Sequence, residues 1–530
     1  MDHTLKWWQR AVIYQIAPIS FQDTNGDGKG DLQGIIDRAE YLSWLGVGAV
    51  WLCPIYPSPM LDFGYDISDY CDVDPSYGSL ADFDRMLEVL HRREIRVLLD
   101  FVPNHTSDCH PWFVESRCSR SSARRDWYVW ADPGPDGGPP NNWLSRFGGS
   151  AWEWDEPTGQ YYYHAFLREQ PDLNWRNAEL REAMAGVLRF WLARGVDGFR
   201  VDASAVLAED DLLRDDPPEP DYDPKSTPPP QRLRRIFTDD RPDSMEYLSD
   251  IRAVLDEFPD RVLAGEVQGT ISRIGHFYGN DRPRFHLPLN FALLTTQWSA
   301  LHLQGTIDAY LNAIPDRAWP DWVLGGHDKK RIASRIGQAQ ARIAAMLIIT
   351  LRGTPFFFAG DEIGMPRVPI PSDQVHDIFE KLVPGYGINR DPERSPMRWD
   401  GGPNGGFTSG EPWLTMGPEI ADRNVRKFRE DSKSLLWLYR RLIELRRREP
   451  VLTAGAHKPL RSRNDLLLFE RASDSERVLI GLNIASEPRK LDLAREGELL
   501  LSTYLDRTGP VEQSLVLRAD EGVVIKYAKS

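Results

Sequence analysis

The chain has 530 residues, of which 41% are hydrophobic, 27% charged and 11% aromatic. That composition excludes a wholly disordered chain and supplies a large core, while the length calls for more than one domain. Lys and Arg number 64 against 79 Asp and Glu, a net charge of −15 that excludes nucleic acid or an anionic membrane as the main partner.

In chain order, short β-rich runs alternate with amphipathic segments. Residues 11–16, 49–52 and 97–102 read as strands, and 198–202, 261–266, 322–324 and 355–358 continue the series. Between them Leu180, Met184, Val187, Leu188, Trp191 and Leu192 fall on one face of a helix, and Leu248, Ile251 and Leu255 repeat the spacing. Strands alternating with helices imply parallel βα units, and about eight of them fit a (β/α)8 TIM barrel. No Gly-rich dinucleotide or phosphate fingerprint follows any strand, which disfavours a doubly wound sheet.

Two stretches break the rhythm. Residues 104–174 are rich in Trp, Tyr, Gly and Pro and read as a loop-rich subdomain inserted after the third strand. Pro217 to Pro230 is a Pro-rich surface excursion that can hold neither a helix nor a central strand. The barrel is expected over 1–103 and 175–450, with a charged helix near 430–448. Residues 451–530, whose apolar runs at 466–469, 478–482 and 523–525 lack intervening helices, are expected to form an antiparallel β-sandwich.

The N-terminal stretch has no basic-then-apolar leader pattern, and the apolar run Ile343 to Leu351 is too short to span a bilayer. Cys53, Cys71, Cys109 and Cys118 lack CxxC spacing and read as thiols of a reducing compartment. A soluble, cytoplasmic protein is expected.

In a barrel the reacting groups gather at the C-terminal ends of the strands. Three expected strands finish there with Asp100, Asp202 and Glu266, and a fourth runs on into His327 and Asp328. Arg200 and Asp202 are two apart and share one face of their strand. Clustered acids with Arg and His suit glycoside hydrolysis, in which one carboxylate attacks the anomeric carbon and another protonates the leaving oxygen. Taken singly, Asp202 with Arg200 is equally a structural ion pair, Asp328 a helix cap, and Asp100 a structural group within the mouth.

The segments Asp100 to His105, Gly198 to Asp202, Gly265 to Val267 and His327-Asp328 resemble the four signature regions of the α-amylase superfamily, glycoside hydrolase family 13, and Gln170 to Asn174 is similar to a fifth. Residues 20–32, 62–67, 355–365, 389–400 and 407–414 resemble blocks of its α-glucosidase and oligo-1,6-glucosidase branch. The resemblance implies a retaining, exo-acting α-glucosidase with Asp202 as nucleophile, Glu266 as general acid/base and Asp328 on the sugar's 2-OH and 3-OH. It further implies that His105 and His327 bind the glucose hydroxyls and that Arg200 buttresses Asp202. Asp62 and Arg394 would hold the terminal 4-OH and 6-OH, Tyr65 would be the stacking platform, and Phe147 and Phe166 would line the pocket. Ala203, where a Val accompanies α-1,6 preference in this branch, leans the reading to α-1,4 substrates such as maltose. The segment also departs from the family in Gly326 before His327 and in Lys329-Lys330 after Asp328, which leaves the aglycone side open.

Residues 23–31 alternate oxygen donors with glycines, and Asp23, Asn25, Asp27, Asp31 and the Lys29 carbonyl can wrap a hard cation. Related α-glucosidases carry such a loop as a structural Ca2+ or Mg2+ site, so that role is expected here, and no cofactor is expected for catalysis. The expected partner is a small α-glucoside, with no nucleic acid or membrane, and monomer and dimer are both open. A transglucosylase or sugar isomerase using the same intermediate is the alternative, and a non-catalytic scaffold relative ranks below it.

Overall fold

Eight short runs of β-branched, aromatic and leucine residues form the strands of one parallel sheet: β1 (Ile13–Ile16), β2 (Ala49–Leu52), β3 (Arg96–Phe101), β4 (Gly198–Val201), β5 (Val262–Val267), β6 (Leu287–Asn290), β7 (Asp321–Val323) and β8 (Thr354–Phe358). The computed structural model describes residues 5–267, 269–279, 281–463 and 465–528. The first four residues of the N-terminal stretch, where the leader pattern was sought, lie outside the described residues.

The ladder runs β7-β8-β1-β2-β3-β4-β5-β6, each pair parallel. Side chains bridge the remaining seam and bring the sheet close to a closed barrel. Asn290 Nδ2 donates to the Asp321 carbonyl at 3.2 Å, and the Asn290 N–H donates to Asp321 Oδ1 at 3.3 Å. Strand β6 escaped the sequence reading because it carries Pro288. The proline is tolerated because β6 borders the seam and pairs by backbone only with β5.

Alternation along the strands decides what enters the barrel. Ile13, Ala49, Trp51, Leu98, Val262, Ala264, Leu287 and Phe356 form an inner cluster. Their neighbours Val50, Leu52, Val97, Leu99, Phe199 and Val201 pack outward in the main core against the helices. Two residues beyond Leu98 and Ala264 on the same inward rows stand Asp100 and Glu266, at the C-terminal ends of β3 and β5. Gly265 lets β5 pass this close, since a Cβ there would lie 2.1 Å from the Phe285 ring.

The expected helices form at Ala178–Ala193, N-capped by the Asn177 side chain, and at Pro242–Asp256. Helix Ile332–Thr350 is flanked at its start by Arg331, so Asp328 lies before the cap position and is not the cap. Within 104–174 a short helix, Pro111–Ser116, accompanies a three-stranded antiparallel sheet of Trp130–Ala131, Gln160–Tyr163 and Trp152–Asp155. The C-terminal region, after helix Leu435–Arg448, holds a six-stranded and a two-stranded sheet, all antiparallel.

Two buried arginines weld that region to the barrel. Arg471 donates to the carbonyls of Thr350 at 2.7 Å, Leu452 at 2.5 Å, Thr453 at 3.1 Å and Gly455 at 2.7 Å. Arg446, near the end of helix Leu435–Arg448, donates to those of Ile349 at 2.8 Å and Leu351 at 3.1 Å and to that of Leu452 at 3.1 Å. Both satisfy carbonyls left open at the end of helix Ile332–Thr350, where the helix dipole favours a cation.

Candidate active site

A cavity of about 510 Å³ opens at the C-terminal ends of the strands. Asp202, Glu266 and Asp328 all line it, as do Asp62, Tyr65, His105, Phe147, Phe166 and His327. Arg200 lies beneath. It is 2% exposed, and Nη1 donates to Asp100 at 2.8 Å and to Asp202 at 2.6 Å, while Nη2 donates to Glu266. One guanidinium thus gathers three carboxylates from the ends of three neighbouring strands.

That cluster sets the electrostatics. Burial pushes Asp202 well above the ordinary carboxylate range, and the Arg200 charge opposes it. Asp100, fully enclosed, is likewise raised by burial against the pull of Arg200, and it accepts from Trp51 Nε1 at 3.0 Å and Tyr65 OH at 3.1 Å. Its partners make it a structural acid beneath the cavity. Asp328 differs: burial raises it, but Lys329, with Nζ 3.9 Å away, and His327 outweigh that and hold it well below the usual range.

The backbone turns sharply after the nucleophile candidate. Ala203 has φ +47°, the left-handed region that costs an L residue roughly 1–2 kcal/mol, and it lines the cavity. Ser204 Oγ donates to the Glu266 carbonyl, tying this turn to the end of β5.

The histidines are held by polar relays. Gln15 Nε2 donates to His327 Nδ1 at 2.7 Å, which leaves the ring proton on Nε2, 3.1 Å from Tyr65 OH. Tyr65 OH in turn donates to Asp100. The Tyr65 ring stacks on His327 with centroids 5.6 Å apart, and Phe63 stacks on it at 5.9 Å. Burial lowers His327 to about 3 and His105 to about 4, so both are neutral. His105 Nδ1 sits 3.2 Å from Asn104 Nδ2, and Nε2 sits 3.2 Å from the Tyr65 carbonyl and 3.0 Å from Gln170 Nε2. Phe147 packs between Phe166 at 5.8 Å and Phe379 at 5.0 Å as an apolar wall.

Of the two residues expected at the terminal 4-OH and 6-OH, Asp62 lines the cavity and Arg394 does not. Asp62 accepts from Arg390 Nη2 at 2.8 Å, and Arg390 lines the cavity. Arg390 and Arg394 flank the short turn Asp391–Glu393, so their side chains leave in different directions. Arg394 lies over the Phe63 ring at 3.9 Å and donates to the His327 carbonyl at 3.2 Å, behind the cavity wall. Its Nη2 is buried with no hydrogen-bond partner among the described residues. Both arginines stand in the segment 389–400, and only the turn geometry distinguishes them. Gln170, which donates to Asp62 at 3.2 Å, and Gln15 also went unassigned from sequence.

The Pro-rich excursion is more than surface. Its last residue, Pro230, and the following Gln231 and Arg235 form part of the cavity wall. Tyr386 OH donates to the Pro224 carbonyl at 2.9 Å and joins the excursion to the loop carrying Arg390.

The 23–31 loop lies apart from the cavity lining. Its donors are oxygens, as a hard cation requires, but they turn onto the loop itself. Asp23 accepts from the N–H of Asn25 at 2.9 Å, Gly26 at 2.8 Å and Gly28 at 2.9 Å, and Asp27 accepts from Lys29 N–H at 2.8 Å. Asp31 accepts from Thr24 N–H at 2.8 Å and Gly34 N–H at 2.7 Å. Among the described residues, no three His, Cys, Asp or Glu side chains converge as a metal-holding group.

Residues 15–455 match the family described as alpha amylase, catalytic domain. A probable alpha-glucosidase of Rhizobium meliloti (strain 1021) is 42% identical over 528 residues, covering 94% of each chain. An oligo-1,6-glucosidase of Heyndrickxia coagulans is 36% identical, covering 94% of this chain and 96% of its own. A crystal structure of an alpha-glucosyl transfer enzyme superposes with a TM-score of 0.93 at 38% identity, covering 99% of this chain and all of the other. The trehalulose synthase from Pseudomonas mesoacidophila MX-45 gives a TM-score of 0.89 at 34% identity, covering 98% and 99%.

Proposed function

Because the chain belongs to the α-amylase family, in its α-glucosidase branch, we propose that it is a retaining, exo-acting α-glucosidase that releases the terminal non-reducing glucose of maltose-like or other α-glucosides. The observation that carries this reading is the Asp202–Arg200–Glu266 cluster on the floor of a cavity that Asp62 and Arg390 flank.

The chemistry follows from the placement. Asp202, whose carboxylate form Arg200 favours against burial, attacks the anomeric carbon as the glycosidic C–O bond breaks, and Glu266 gives its proton to the leaving oxygen. The product is a β-glucosyl ester on Asp202. Glu266 then takes a proton from water, the water oxygen attacks the anomeric carbon, and Asp202 leaves with net retention. Asp328, held ionised by Lys329, binds the 2-OH and 3-OH and favours the oxocarbenium-like transition state. The neutral imidazoles of His105 and His327 bind hydroxyls without adding charge, and Tyr65 supplies the stacking face. Asp62 with Arg390 receives the terminal hydroxyls. Ala203 beside the nucleophile supports a lean to α-1,4 linkages.

A transglucosylase or isomerase shares every step up to the ester, and the likeness to an alpha-glucosyl transfer enzyme favours it as the second reading. Time-resolved proton NMR with maltose separates the two. Early α-glucose with little trisaccharide is expected; trisaccharide or an isomeric disaccharide forming while glucose lags overturns hydrolysis as the main reaction.

The oxygen donors of Asp23, Asn25, Asp27, Lys29 and Asp31 support a structural Ca2+ or Mg2+ outside the chemistry, and a chelator that leaves the melting temperature unchanged would count against it. Four free cysteines support a cytoplasmic location. Among the described residues, no helix is long and apolar enough to cross a membrane.

A further inference from the structure

The cavity mouth carries a charge pattern that a neutral sugar does not need. Lys329 and Lys330 line it from the segment after β7, and Arg235 lines it from the segment after the Pro-rich excursion. The chain as a whole has a net charge of −15, so cations gathered at this one opening run against its overall balance.

The other lining charges are paired. Arg146 meets Asp239 at 2.6 Å, Arg367 meets Glu393, and Arg390 meets Asp62 at 2.8 Å and Asp377 at 2.7 Å. Lys330 is exposed and has no ion pair or hydrogen bond among the described residues. Among the described residues Arg235 has no carboxylate within ion-pair distance; it donates to the main-chain carbonyls of Leu144 at 2.7 Å, Pro230 at 3.1 Å and Ser145 at 3.4 Å. Among the described residues Lys329 has one carboxylate partner, Asp328, at 3.9 Å, with its ammonium 5.1 Å from the Phe291 ring centroid.

The position of the lysines fixes which part of a substrate they face. Lys330 is exposed, whereas Asp62, His105 and His327 of the same cavity are buried. In an exo-acting site the glycone fills the buried part and the leaving portion points to the opening, so Lys330 lies on the aglycone side of the scissile bond. The glycone end is occupied by Asp62, Arg390 and the two histidines.

We propose that the outer cavity is an aglycone subsite for an anionic group, a carboxylate or phosphate on the leaving portion of the α-glucoside, with Lys330 as its specificity-determining residue and Lys329 and Arg235 as supporting cations. An anion there neutralises the Lys330 charge, which has no partner among the described residues, beside a partly enclosed cavity where water screens it less than at an open surface. This rests on the α-glucosidase reading and names the substrate class for it.

The test compares 4-carboxyphenyl and 4-carbamoylphenyl α-D-glucopyranosides, which match in shape and differ in charge, with maltose as the reference. The neutral amide releases the more acidic phenol, so leaving-group chemistry works against the proposal. At low ionic strength the purified protein is expected to show kcat/KM at least about fivefold higher for the carboxylate. Added salt should erode that ratio, and Lys330→Gln should bring it towards one. A ratio at or below one in the wild type, with the aryl glucosides cleaved, overturns the anionic subsite and leaves the glucosidase reading standing. A high ratio that neither salt nor Lys330→Gln changes overturns the assignment to Lys330. If maltose and both aryl glucosides are all left intact, the glucosidase reading falls and takes the proposal with it.

Discussion

Arg390 donates to Asp62 at 2.8 Å across 328 residues of sequence, and both side chains face the cavity. The pair brings the loop after β2 to the loop after β8 at the cavity, where the proposed reaction places the terminal hydroxyls of the glucose. Arg394, four residues on, lies behind the wall on the Phe63 ring.

That difference predicts the outcome of two substitutions. Arg390→Ala leaves Asp62 and Asp377 without their shared cation and should lower kcat/KM on maltose about a hundredfold, roughly 3 kcal/mol. Arg394→Ala should cost less in kcat/KM and more in melting temperature. Steady-state kinetics with thermal unfolding of both variants checks this, and the reverse order would refute the placement.

Much of this site can be read from residues alone, because its groups stand at strand ends where a period of two dictates direction. Asp100 and Glu266 follow the inward rows that Leu98 and Ala264 begin, and Arg200 stands two beyond Gly198 on β4, so the period of two gives their direction. Arg390 and Arg394 belong to a turn with no such period, so residues alone do not tell which of them reaches the cavity. Strand β6 was hidden by Pro288, whose tolerance depends on a seam that only the assembled barrel reveals. The contribution of Arg235 to the cavity wall was equally hidden, since a Pro-rich stretch states where no helix forms but not where the loop comes to rest.

His110 offers a test of the electrostatics away from the site. It is 5% exposed and accepts from Trp112 N–H at 3.1 Å, capping the helix Pro111–Ser116. Burial lowers it to about 3, with Arg124 adding to the effect. The unfolded chain therefore binds a proton near pH 6.5 that the folded chain refuses until about pH 3. Stability from this group is present above pH 6.5 and is lost as pH falls towards 3, at about 1.4 kcal/mol per pH unit. His110→Asn keeps a capping acceptor without the titration. Urea unfolding at pH 7 and pH 5 should show the variant gaining roughly 2 kcal/mol on the wild type between the two conditions. A constant gap would contradict the assignment.

Arg471 tests the junction between the barrel and the C-terminal sheets. Arg471→Ala strands the carbonyls of Thr350, Leu452, Thr453 and Gly455 in the interior. The expected loss is at least ~3 kcal/mol of stability, from several buried acceptors left unpaired. Activity per folded molecule should persist, because none of these groups lines the cavity. Denaturant titration together with active-site titration separates the two effects; a variant as stable as the wild type would contradict the role.

The central claim is that Asp202 carries the glucosyl group. The most direct measurement is incubation with 5-fluoro-α-D-glucopyranosyl fluoride, which forms the ester faster than water removes it, followed by proteolysis and peptide mass spectrometry. The account predicts one fluoroglucosyl group per chain, on the peptide containing Asp202 and absent in Asp202→Asn. A label on the peptide containing Glu266 or Asp328, or an unlabelled chain that still releases fluoride and inverts the anomeric configuration, would contradict it.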